Sequence, residues 1–269
     1  MPSTIDAKLI SIGRLFFGIA LVAWGIQHLV AGNFVTRVVP WWPAWIPARS
    51  LCADLIGGGL IVAGVAIVFN LKPRIAALAF CVFALSSFVL LGLPLTLKDR
   101  WLGASWTVAG KALVMSGGAM LIAVSLGATG AKGPGILLRS TKARDGFSYF
   151  GRACLGLFMI LGGMQHFIFP KFVAMLIPSS IPGTMFWVYF AGVALIAGGL
   201  GMMTPIIPRM AALFSGAMIF AWVFLIHLPL VVKRPHDPGQ WAAVFEALAF
   251  SGIAFLIAGM LGERQRRPG

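Results

Sequence analysis

Charged residues are scarce in this sequence. Of 269 residues only 10% are charged, and acids are rarest, with 7 Asp and Glu against 21 Lys and Arg. A soluble domain carries roughly 25% charged residues to dress its surface for water, so a soluble globular fold is excluded. Cysteine is also thin. The 3 cysteines, Cys52, Cys81 and Cys154, are isolated from one another. Without a C-x-x-C pair or zinc spacing they give no disulfide framework, no metal site and no quinone-linked dithiol catalyst. They read as small apolar packing residues. No phosphate-cradling loop, H-E-x-x-H helix or nucleophile–base–orienter set occurs, which argues against a self-contained hydrolase.

What the chain has instead is apolar length. Its residues are 59% hydrophobic, with a mean hydropathy of +0.95. A bilayer core about 30 Å thick needs roughly 20 helical residues, and eight runs approach or exceed that. They are Leu9–Val30, Ser50–Asn70, Arg74–Leu95, Ala104–Leu126, Phe147–Phe169, Gly183–Met203, Arg209–Val232 and Gly239–Leu261. The first is too long for the apolar part of a signal peptide and no small-x-small cleavage site follows it, so it reads as a span. No span before the last carries an obvious break. A net charge of +14 would suggest nucleic acid in a soluble protein. Here the cations sit in short loops, where the positive-inside rule and anionic headgroups account for them. Nucleic acid is not expected as a partner; the lipid bilayer is.

The two halves are copies. Gly13-Arg14, Gly18, Gly25 and Gln27-His28 recur as Gly151-Arg152, Gly156, Gly163 and Gln165-His166. After a small deletion a second constant offset pairs Gly57 with Gly192, Gly64 with Gly199, Pro73-Arg74 with Pro208-Arg209, and Leu93-Pro94-Leu95 with Leu228-Pro229-Leu230. It also pairs Trp106 with Trp241 and Ser116-Gly117 with Ser251-Gly252. The expected fold class is therefore all-α integral membrane, with eight transmembrane helices as two tandem four-helix bundles. They occupy residues 1–126 and 146–269, joined by a cytoplasmic linker over 127–145. Four spans per copy make the copies parallel, related by a pseudo-two-fold axis along the membrane normal. Lys and Arg are more numerous on the side holding both termini than on the other, where Arg37, Arg49, Lys98, Arg100, Lys171, Lys233 and Arg234 stand. Both termini are expected in the cytoplasm.

Polar residues gather at the opposite side. His28, His166 and His227 lie near the outer ends of spans one, five and seven, and His236 lies in the outer loop beyond. Trp41, Trp42, Trp45, Trp101, Trp106, Trp187 and Trp241 are on that side too. An interfacial aromatic belt explains most of them, while the dense run Trp41-Trp42-Pro43-Ala44-Trp45 suits a half-inserted lid stiffened by proline. Asp54 lies about one turn into span two, and Lys111 and Glu246 occupy equivalent positions two turns into spans four and eight. Charges at that depth must face the bundle interior and find partners. Depth offers Asp54 with Lys111 inside the first copy and Lys111 with Glu246 across the copies. Tyr189 stands where the first copy has Asp54. Two readings stay open: these groups bond one another and set helix register, or they form sites. In the second, Gln27, His28, Asp54 and Lys111, with Gln165, His166, Tyr189, His227 and Glu246, line outward-facing polar pockets that bind a ligand. A histidine there could donate to a quinone carbonyl, relay a proton or ligate haem iron. Nothing in the sequence brings two histidines within the span of one haem, so quinone is the expected cofactor and haem is not.

The pattern Gly151-Arg152, Gly163-Met164-Gln165-His166-Phe167, Pro170, Ile177-Pro178, Tyr189 to Gly199 and Pro208-Arg209-Met210-Ala211-Ala212, closed by His227, resembles the DoxX-like superfamily of four-helix membrane proteins. The first half is similar at Gly13-Arg14, Gln27-His28, Pro40, Gly57 and Pro73-Arg74, so the resemblance covers nearly the whole chain as two fused copies. It implies a bacterial inner-membrane protein, with relatives that include a subunit of a thiosulfate:quinone oxidoreductase and a protein linked to a membrane oxidoreductase complex in thiol stress. The acidic residue that members often carry after the second-span Gly is replaced here by the apolar runs Gly57-Gly58-Gly59-Leu60 and Gly192-Val193-Ala194-Leu195. The expected function is a redox-associated subunit that binds a quinone or similar apolar ligand near the periplasmic face, beside another oxidoreductase subunit. A small-solute or lipid transporter, and a structural or assembly protein without a ligand, are the alternatives.

Overall fold

Inside hydrocarbon no water bonds the backbone, so a long apolar run closes its hydrogen bonds internally as a helix. The computed structural model describes residues 4–35, 37–39, 42, 46–99, 101–126 and 140–265. Among them eight helices are long and apolar enough to cross a membrane, and there is no strand. They are α1 (Thr4–Ala31), α2 (Arg49–Val68), α3 (Pro73–Thr96), α4 (Ala104–Ser125), α5 (Thr141–Ile168), α6 (Thr184–Met203), α7 (Pro208–Lys233) and α8 (Pro238–Gln265). A one-turn helix, Pro170–Ala174, follows α5. Two ends depart from the sequence expectation. α1 starts at Thr4, which carries Asp6 into the bundle. α5 starts at Thr141, where the Ser140 hydroxyl caps it by accepting from the Ala143 N–H, so the linker's last five positions are helical. Residues 127–139 of that linker lie outside the described residues.

The copies interlock. α4 and α8 are the most buried helices, and α2, α3, α6 and α7 are the least. α1 packs along α2 and, more extensively still, along α8. The equivalent helices of the other copy repeat this, with α5 lying against α6 and α4. Lipid tails are as apolar as leucine, so small residues that let backbones touch must drive such pairings. A Cβ added to Gly25 would meet the Gly57 carbonyl oxygen at 2.5 Å and Ile61 Cγ1 at 2.6 Å. Its counterpart Gly163 is held likewise against the Gly192 carbonyl oxygen at 2.7 Å and Ile196 Cγ1 at 2.6 Å. Gly25→Val is expected to destabilise the protein by about 1–3 kcal/mol through overpacking. Melting followed by circular dichroism in detergent checks this, and an unchanged transition would mean that α1 and α2 separate freely.

Equivalent side chains also make equivalent bonds. Ser116 donates to the Cys81 carbonyl at 3.2 Å and Ser251 to the Gly216 carbonyl at 2.9 Å. α3 and α7 each contain a π turn at the same register, Phe88–Gly92 and Val223–His227. Each precedes a proline, Pro94 or Pro229, that lacks an N–H and crowds the preceding turn. One wider turn absorbs that crowding while the helix continues. The helices are thus continuous through these spans but locally widened.

Candidate ligand-binding site

Where α4 and α8 touch, Lys111 Nζ stands 2.9 Å from Glu246 Oε2, with the two side chains only 16% and 13% exposed. These positions are equivalent in the two copies and have diverged to opposite charge. Arg37, on the connection after α1, folds over the end of the bundle. Its Nε donates to the same Glu246 oxygen at 3.2 Å. The cluster forms one wall of a cavity of about 130 Å³ in the half of the bundle away from the termini. The other walls are apolar: Trp24 of α1, Ile56 and Leu60 of α2, Phe80, Phe83 and Leu91 of α3, Val108 and Met115 of α4, and Phe250 of α8. Phe83 lines the cavity and is also 38% exposed, and the cavity is partly open to the surface. Trp42 lines it as well, stacked on Phe34 at 4.6 Å between centroids. Its indole N–H is buried with no hydrogen-bond partner among the described residues. Of the expected tryptophan lid this is the part described on the cavity; Trp41 and Trp45 lie outside the described residues.

Of the nine residues expected to line polar pockets, Lys111 and Glu246 line this cavity and the other seven do not. Asp54 corrects the sequence reading most clearly. It is exposed and makes no bond among the described residues, and Lys111 turns to Glu246 instead. The buried stripe of α2 runs through Ala53, Gly57, Leu60 and Gly64, and Asp54 falls beside it, near the helix start, where headgroups and water can receive a carboxylate. Tyr189 is likewise exposed, stacked on Phe167 at 5.6 Å. His28 and His166 turn back onto their own helices. Each Nδ1–H donates to the carbonyl four residues earlier, Trp24 or Gly162, at 2.7 Å. His28 is wholly buried, and its Nε2 has no hydrogen-bond partner among the described residues. His227, in the π turn of α7, lies within electrostatic range of Glu246, Lys111 and Arg37 without lining the cavity. His236 is exposed in its loop.

The two glutamines tie the copies together. Gln165 donates to the Leu102 and Gly103 carbonyls at 2.6 and 3.2 Å and exchanges bonds with the Thr107 hydroxyl. Gln27 reaches the equivalent point at the start of α8, donating to the Pro238 carbonyl at 3.4 Å. Its oxygen has no partner because Ala242 stands where the other copy has Thr107. Just before α4, Asp99 organises the turn, accepting from the Trp101 N–H and the Ser105 hydroxyl. Those bonds hold its carboxyl below the usual carboxylate range.

The cavity is walled mostly by first-copy residues, with Glu246 and Phe250 supplied by the second. Its lining residues Ala84, Ser87 and Gly92 correspond to the larger Ile219, Trp222 and His227 in the second copy, while Trp24, Ile56, Phe80 and Val108 correspond to the smaller Gly162, Ala191, Ser215 and Ala243. Comparison with known families gives a match within the second copy. Residues 155–258 match the model of a domain of unknown function, DUF8561. That stretch runs from α5 into α8. Neither the curated proteins nor the solved structures give a match.

Three groups were not singled out from sequence. Arg37 counted only as a loop cation, and nothing in a loop's composition says which way it folds. Trp42 was one of a run. Asp6 lies ahead of the apolar run Leu9–Val30, yet it is fully buried and its Oδ1 accepts from Arg209 Nη2 at 2.6 Å. An acid in the first turn of an apolar helix, with no acidic neighbour, was the available signal.

Proposed function

We propose that this chain is a DoxX-like, redox-associated membrane subunit that binds an apolar ligand in the cavity lined by Trp24, Phe80, Phe83 and Phe250. A quinone is the first candidate, with its ring among the aromatic walls and its carbonyl oxygens toward the donors Lys111, Arg37 and Trp42. The carrying observation is the pairing of an apolar, surface-reaching cavity with a charged cluster at one wall. Ligand pockets of this kind are mostly apolar, with a few placed polar groups that orient the guest. The copied Gly and Gln-His motifs support the DoxX-like reading, which implies a bacterial inner membrane, while the loop charges favour cytoplasmic termini and so a cavity near the periplasmic face. A neighbouring oxidoreductase subunit would exchange electrons with the bound quinone.

The test is purification in mild detergent, mass spectrometry of the extracted lipids, and equilibrium dialysis against a short-tailed quinone. A co-purifying quinone and saturable uptake are expected. A folded protein that yields neither would end this reading. The two π turns favour a second reading, a carrier for an apolar solute, because widened turns are places where a helix can flex. Time-dependent uptake into proteoliposomes that is lost in Glu246→Gln would favour the carrier.

A further inference from the structure

We infer that the head group of the cavity's ligand is an anionic oxygen, a carboxylate or the ionised hydroxyl of a hydroxylated quinone ring, seated between Arg37, Lys111 and Trp42. This rests on the cavity being a ligand site and narrows what fills it. The ionisable groups lining the cavity are Arg37, Lys111 and Glu246, two cations against one carboxylate. Both cations approach the same oxygen, Glu246 Oε2, at 3.2 and 2.9 Å, so a single acid answers both. An uncompensated charge among hydrocarbon is costly, and one further negative charge in the cavity would balance the wall. The indole N–H of Trp42, buried with no partner among the described residues, adds a donor beside the cations and offers nothing to a second donor. The remaining lining is aromatic and aliphatic. A ligand with an anionic head and an apolar body meets every one of these walls, whereas a neutral acceptor leaves the charge imbalance in place.

Matched pairs test it. Dodecanoate is compared with dodecanol, and the anion of a hydroxynaphthoquinone with the parent naphthoquinone, by equilibrium dialysis of the detergent-purified full chain. In the unaltered protein at least one acid is expected to bind about tenfold tighter than its neutral partner. That preference should shrink to within about twofold in Lys111→Met and in Arg37→Gln. Arg37 is half-exposed, so Arg37→Gln keeps the test valid where Lys111→Met fails to fold, as gel filtration would show. Which acid shows the preference tells whether the head belongs to an acyl chain or to a quinone ring. Neutral partners binding as tightly as the acids would overturn the anionic head and leave the cavity reading intact. If no probe binds at all, both fall.

Discussion

Glu246→Ala is expected to destabilise the protein by about 3–5 kcal/mol, the loss that follows when one member of a buried ion pair is removed. The alanine would strand Lys111 and leave Arg37 without its acceptor, and neither cation has another acid on the cavity wall. For a chain of this length the melting temperature should fall by the order of 10 °C. The double variant Lys111→Met with Glu246→Leu should recover most of that, because apolar side chains of similar size need no counter-ion in a low-dielectric interior. Arg37 would then extend its head toward the aqueous face, as long cationic side chains near helix ends do. The single and double variants are compared by tryptophan fluorescence on heating. A single variant that melts like the unaltered protein would show that the cluster is already solvated and does not hold α4 to α8.

Ser87→Trp is expected to abolish ligand uptake while leaving the fold intact. The second copy carries Trp222 at the equivalent position, at the same register of a helix with the same π turn, so this backbone accepts an indole there. In the first copy the indole would enter the cavity that Ser87 lines. What is lost is one hydrogen bond, from the Ser87 hydroxyl to the Phe83 carbonyl at 2.9 Å, worth about 0.5–1.5 kcal/mol. Filling the space offsets part of that. Dialysis should show binding of the quinone weakened at least about tenfold, with the melting temperature within a few degrees of the original. Unaltered binding would place the ligand elsewhere on the molecule.

The architecture was legible because its signals are periodic and repeated. Eight apolar runs gave eight helices, and the copied glycines sit where backbones meet, Gly25 on Gly57 and Gly163 on Gly192. Lys111 and Glu246 were legible as a pair because equal depth on equivalent helices is enough when those helices touch. Asp54 shows the limit of that argument. Depth places a residue along a helix and says nothing of which way it faces; one position off the Ala53–Gly57 stripe turned it outward. The imidazoles misled for a related reason. A histidine in a helix can meet its hydrogen-bond need on the carbonyl one turn back, as His28 and His166 do, and then requires no ligand. The cavity itself is a property of packing.

Synthesis runs from the amino end, and here that direction opposes assembly. Of the eight helices α1 is made first, but its most extensive neighbour is α8, the last of the eight. Until Pro238–Gln265 emerges, the first helix lacks its broadest contact, and the Lys111 ammonium still lacks Glu246. The seam between the earliest and latest of these eight helices therefore closes only once α8 has been made.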